Sequence, residues 1–126
     1  MVSDVDEALT ALGLKRSDVS EVVYDPIQKN NLHFIYIAEN DLWLEFVEPM
    51  HEDASTAKFA KKYGLGLQHL ALGADNLQAV EAEYTLRPKN FVLGRYRINV
   101  KSFGGQIRTL FIAVRGLIIE FVKVDK

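Results

Sequence analysis

Two glutamates and a histidine stand in apolar runs where their chemistry needs an explanation. Glu120 interrupts Leu117-Ile118-Ile119-Glu120-Phe121-Val122, and Glu45 interrupts Leu42-Trp43-Leu44-Glu45-Phe46-Val47. Side chains alternate across an extended chain, so Glu120 shares a face with Ile118 and Val122, and Glu45 shares one with Trp43 and Val47. By the same alternation His69 faces with Leu67 and Ala71. An ionised carboxylate on an apolar face carries a large desolvation cost unless something compensates it. A metal ion, a protonated state or a basic neighbour would each do so. The plainer reading leaves each acid on a sheet face open to water. For His69 it is a hydrogen-bonded core histidine.

Taken together, Glu45, His69 and Glu120 form an oxygen and nitrogen donor set suited to a divalent ion such as Co²⁺, Ni²⁺, Mn²⁺ or Zn²⁺. The sequence has no cysteine, which argues against a closed thiolate zinc site. An ion with open positions would act as a Lewis acid on a substrate oxygen. His33, which faces with Ile35 and Ile37, is an acid/base candidate because its unperturbed pKa lies near 6.5, although a structural role is the commoner one for a buried histidine. Lys58, Lys61 and Lys62 could meet an anionic substrate arm or simply form a solvated helix face. His51 has no evident partner. The serines sit in caps and turns, without a nucleophile elbow, and the glycine pairs belong to no phosphate-binding loop.

The elements that must position these residues come in two similar sets. Asp4–Leu14 reads as a helix with the apolar stripe Val5, Ala8, Leu9 and Leu12. Strands are expected at 19–24, 32–37 and 42–47, with Glu39-Asn40-Asp41 as a tight hairpin turn. Pro49, lacking an N–H, is expected to end the ladder. A short basic helix at 55–63 follows. The second set is a strand at 67–72, a helix capped by Asp75 and running to about Leu86, and strands at 91–101, 107–114 and 117–124. Each set ends on a glutamate in an apolar strand, which suggests duplication of one unit. The position equivalent to His69 in the first set falls upstream of Met1. The expectation is therefore an α+β chain of two βαβββ modules with the first strand absent. Residues 1–48 would form the first module, 49–66 a linker with a short helix, and 67–126 the second module, together one domain.

Composition narrows the classes. At 126 residues and 48% apolar content the chain can build a core without staples. A net charge of −2 argues against a nucleic-acid partner. No apolar run reaches the roughly 18 residues of a membrane span, and no leader is apparent, so a cytoplasmic protein is expected.

Three segments carry a family resemblance: Leu44-Glu45-Phe46-Val47-Glu48-Pro49 followed by Ser55-Thr56-Ala57-Lys58-Phe59-Ala60, then Gly66-Leu67-Gln68-His69-Leu70-Ala71, then Gly116-Leu117-Ile118-Ile119-Glu120-Phe121-Val122. In this order and spacing they resemble the methylmalonyl-CoA epimerase branch of the vicinal-oxygen-chelate (glyoxalase-like) superfamily. The resemblance implies a curved mixed sheet around a cleft, with Glu45, His69 and Glu120 as metal ligands and Glu120 also as an acid/base group. Gln68 stands in place of the first histidine of the family's His-His segment. The family's first-strand histidine has no counterpart here, and its second acid/base carboxylate has none between Gln28 and His33. The implied activity is that of a metal-dependent lyase or isomerase acting on a small acid or thioester. The alternative is a non-catalytic small-molecule binder of the same fold, with Trp43, Phe34, Tyr36 or Phe111 as apolar walls. A homodimer is expected, because an unfilled sheet edge is usually covered.

Overall fold

In the computed structural model residues 1–2, 4–64 and 66–125 are described. They form two compact units, Met1–Leu67 and Gln68–Lys126. Among the described residues no helix is long and apolar enough to cross a membrane.

The first unit opens with helix α1 (Val5–Ala11), whose cap is Asp4: its carboxylate accepts from the backbone N–H groups of Asp6 and Glu7. A three-stranded antiparallel sheet follows, in the order β1 (Glu21–Asp25), β2 (Asn30–Ile37), β3 (Leu42–Pro49). The short helix α2 (Ala57–Tyr63) completes the unit. Ile35 of β2 and Phe46 of β3 pack with Val2, Val5, Ala8 and Leu9, so α1 covers the sheet face on which Ile35 and Phe46 lie. Burying these apolar side chains contributes roughly 1.5–3 kcal/mol for each large one. The buried Thr56 hydroxyl donates to Asn30 Oδ1 at 2.7 Å, which ties the start of α2 to the start of β2.

The second unit is β4 (Leu70–Gly73), helix α3 (Leu77–Thr85), β5 (Asn90–Val100), β6 (Gly105–Val114) and β7 (Leu117–Val124). Its sheet runs β4-β7-β6-β5 and is mixed, because β4 pairs with β7 in parallel while the other pairs are antiparallel. Parallel neighbours require a crossover connection, and α3 lies within it. Leu77, Val80 and Tyr84 of α3 pack on Leu110, Ile112 and Phe121, which defines the helix-covered face. The β6–β7 hairpin turns on Arg115 and Gly116, both at positive φ (52° and 92°), as a two-residue hairpin requires.

Four details depart from the sequence reading. Strand β4 begins at Leu70, so His69 sits just ahead of the strand and not within it. Asn76, not Asp75, caps α3 by accepting from Ala79 N–H. Between β2 and β3 the chain makes a 3-10 turn at Ala38–Asn40 and then places Asp41 at φ 50°, a conformation that Asp tolerates better than most residues. Pro49 does extend the ladder, opposite Asn30; its missing donor is tolerated at the end of a strand. No strand precedes α1 among the described residues. Instead Met1 and Val2 are buried, and Val2 N–H donates to Val47 O at 2.9 Å. In the second unit Ala74 N–H makes the matching bond to Val122 O, also at 2.9 Å.

Candidate functional site

Glu120 lies in the middle of β7, opposite Phe111 on β6 and beside Ala71 on β4. Because Ile119 and Phe121 pack toward α3, alternation turns Glu120 to the other face of the sheet. That face also carries Phe111 and Thr109 from β6 and Tyr96 from β5. Glu120 is buried, at 7% exposure. The irregular segment ahead of β4 brings His69 over it, with His69 Nε2 3.1 Å from Glu120 Oε1. Both side chains are nearly dry, at 11% and 10% exposed. His69 Nδ1 meets Gln68 Oε1. The His69 ring stands edge-on to Phe111, centroids 5.4 Å apart, and Phe111 stands edge-on to Tyr96 at 5.8 Å.

Gly94 makes the place for Tyr96. A Cβ on Gly94 would lie 2.5 Å from the Tyr96 hydroxyl and 2.7–2.8 Å from ring carbons, so the Tyr96 ring rests directly on the Gly94 backbone. The strand register slips between Val92 and Gly94, a bulge that re-aims the strand at this point. The result is an aromatic row, Tyr96, Phe111 and His69, that ends on a buried carboxylate.

In the first unit Glu45 lies opposite Phe34, on the sheet face turned away from α1. It is partly buried. Burial pushes the Met1 amino group below its ordinary pKa, and the Glu45 charge partly offsets this. Tyr36 and Trp43 share Glu45's face, rings 5.1 Å apart, and Tyr36 donates to Asp41 at 2.7 Å. His33 points the other way, beneath α1, next to Phe46 in register. It is 3% exposed. Its Nε2 lies 3.4 Å from Glu48 Oε1, while Glu48 Oε2 accepts from Val5 N–H at 3.2 Å. His33 Nδ1 is buried without a hydrogen-bond partner. The pair thus joins the first turn of α1 to the sheet.

Of the residues expected to hold an ion, the structure brings His69 and Glu120 together within the second unit, and Glu45 belongs to the first. Among the described residues no group of three or more His, Asp or Glu side chains is gathered to hold a metal. The imidazole nitrogen and carboxylate oxygen that do meet are the donor types a borderline divalent ion takes. Lys58, Lys61 and Lys62 fall on α2, all exposed. The sequence assigns no role to Glu48, Gly94 or Tyr96, and marks Gln68 only as standing where the family has a histidine. Gly94 offered a signal, since a glycine inside a strand often marks close approach of another group. Glu48 offered none, because its partner is a backbone N–H that only the tertiary structure brings near.

No family model matches the sequence, and no curated protein does. Several solved structures share the fold. Methylmalonyl-CoA epimerase from Mycobacterium tuberculosis is 20% identical with a TM-score of 0.77, over 99% of this chain and 83% of that one. A variant of the Streptomyces coelicolor methylmalonyl-CoA epimerase, in complex with 2-nitronate-propionyl-CoA, is 20% identical with a TM-score of 0.75, over 99% and 92%. A hypothetical protein, BH1468, from Bacillus halodurans C-125 is 22% identical with a TM-score of 0.75, over 99% and 89%. The chain therefore has the vicinal-oxygen-chelate fold, in the form found in methylmalonyl-CoA epimerases.

Proposed function

We propose that the protein is an epimerase-like isomerase that acts on a small acid or its thioester with the help of a divalent ion. The observation that carries this is the His69–Glu120 pair, a nitrogen and an oxygen donor 3.1 Å apart on a buried stretch of sheet. The shared fold supports the substrate class, since 2-nitronate-propionyl-CoA is bound in the Streptomyces coelicolor enzyme. His69 and Glu120 would hold the ion. A bound divalent ion would supply Lewis-acid polarisation of a substrate carbonyl. Glu120 would take the proton from the carbon next to that carbonyl on one face, and reprotonation of the planar enolate on its opposite face would invert that carbon, while Phe111 and Tyr96 exclude water on the Glu120 side. His33, held beneath α1, is left out of this reaction.

The test is solvent deuterium exchange at the α-carbon of methylmalonyl-CoA, followed by proton NMR with and without Co²⁺. Exchange that needs Co²⁺ and is lost in Glu120→Gln and His69→Ala is the expected result. Exchange unchanged by either substitution would refute it. The lyase variant of the reading predicts loss of the substrate itself in the same spectra.

A second reading has its own support. The Tyr96–Phe111–His69 row ending on Glu120 also suits a flat aromatic cation held without turnover. In that case aromatic cations raise the melting temperature and divalent metals do not. A homodimer is proposed with either reading, because β4 is an exposed edge strand carrying Leu70 and Leu72 at 45% and 49% exposure. Sedimentation as a monomer at micromolar concentration would count against it.

A further inference from the structure

We propose that Gln68 is a positioning residue that fixes His69 in the Nδ1–H tautomer, so that Nε2 offers its lone pair beside Glu120. The inference rests on the cation-binding reading given above.

Donor and acceptor chemistry decides the tautomer. Gln68 Oε1 meets His69 Nδ1. A side-chain amide oxygen can only accept, so the proton of that bond belongs to Nδ1. A neutral imidazole carries a single N–H, and its other nitrogen then presents a lone pair. Here that nitrogen is Nε2, and it faces Glu120 Oε1 at 3.1 Å. A lone pair and a carboxylate oxygen set face to face in a nearly dry place repel one another. A cation between them relieves the repulsion and uses both donors. The reverse tautomer would place an N–H against the carboxylate and close the pair on itself, with no lone pair left for an ion.

Backbone geometry makes the contact possible. Within a strand, successive side chains point to opposite faces, and Gln68 would be turned away from His69. Residues 66–69 lie outside β4, which begins at Leu70, so Gln68 can fold back onto its neighbour. Phe111 restrains the same ring from another side, edge-on at 5.4 Å. One contact selects the tautomer and the other holds the ring plane. Outer partners of this kind orient a metal-binding histidine and raise its basicity.

The experiment uses ¹⁵N-labelled, metal-free protein in mildly alkaline buffer, where long-range ¹H–¹⁵N correlations identify the His69 tautomer. The same samples are then titrated with Co²⁺. Expected are the Nδ1–H tautomer in the wild type, the Nε2–H tautomer in Gln68→Leu, and Co²⁺ affinity about 10–100-fold weaker in that variant. Gln68→Glu keeps an acceptor at the same reach, and it should retain both the tautomer and most of the affinity. A wild-type Nε2–H tautomer, or a tautomer unmoved in Gln68→Leu, overturns the assignment to Gln68. A wild-type Nδ1–H tautomer that Gln68→Leu reverses, in protein that binds no Co²⁺, upholds the assignment and instead refutes the ion reading.

Discussion

His69 Nε2 and Glu120 Oε1 stand 3.1 Å apart although 51 positions separate them in sequence. The parallel pairing of β4 with β7 closes that gap, setting Ala71 against Glu120 and the segment before β4 above it. The first prediction follows from how dry the pair is. In Glu120→Gln an amide of equal size replaces the buried carboxylate and can donate to the Nε2 lone pair, so metal-free protein should lose no stability. His69→Ala removes a ring packed edge-on to Phe111 and bonded to Gln68, and should cost about 1–3 kcal/mol. Urea denaturation of the two metal-free variants checks this ordering, and a loss in Glu120→Gln as large as in His69→Ala would show that the ring donates to the carboxylate.

Glu48 predicts a coupling between sheet and helix. Its carboxylate accepts from Val5 N–H and lies against the His33 ring, while Asp4 accepts from the next two N–H groups of α1. Asp4→Ala should cost about 1 kcal/mol as a lost cap. Glu48→Ala should cost more, about 1–3 kcal/mol, since it also leaves His33 buried with neither ring nitrogen bonded. Both changes strip the same helix turn, so their effects should not add in the double variant. Strict additivity in a thermodynamic cycle would place them on independent structures.

Gly94 carries the third prediction. Any Cβ there meets the Tyr96 ring at under 3 Å, so Gly94→Ala must push the ring off its seat. The expected cost is about 1–3 kcal/mol, as for other overpacking changes, with a changed near-ultraviolet circular dichroism spectrum. Adding Tyr96→Ala removes the clash and should make the alanine at 94 nearly neutral. A Gly94→Ala variant equally destabilised in both backgrounds would locate the cause in the backbone.

These cases show what sequence patterning can carry. The alternation along 44–47 and 117–122 separates Glu45 and Glu120 from their neighbours Leu44, Phe46, Ile119 and Phe121, and those neighbours are the ones that pack under the helices. The repeat was legible for the same reason, although Asp75 stood in for the true cap Asn76, since either side chain can accept from the first turn. His33 shows the limit. Alternation put it with Ile35 and Ile37, as found, but which face α1 covers depends on contacts with Val5 and Leu9 that no local pattern encodes. Gln68 shows another, since its contact with His69 exists only because the backbone leaves strand geometry one residue before Leu70.

The last prediction concerns pH. Glu81 on α3 accepts two hydrogen bonds from the Arg95 guanidinium on β5, at 2.9 and 2.6 Å. This bonding, aided by the guanidinium charge and opposed by slight desolvation, holds the Glu81 carboxyl below its ordinary pKa. The folded protein therefore releases the Glu81 proton more readily than the unfolded chain does. Stability gained from the pair is complete above the ordinary glutamate pKa and is lost as pH falls through the lowered folded value. Arg95→Met should therefore be less stable than wild type near neutrality, with the gap closing as acid protonates Glu81 in both proteins. Because Arg95 is 61% exposed, the gap should be small and should shrink in high salt. Thermal melts of the two proteins across the acid range, at low and high salt, decide it: a gap constant with pH would mean that Arg95 acts through its aliphatic stem and not through its charge.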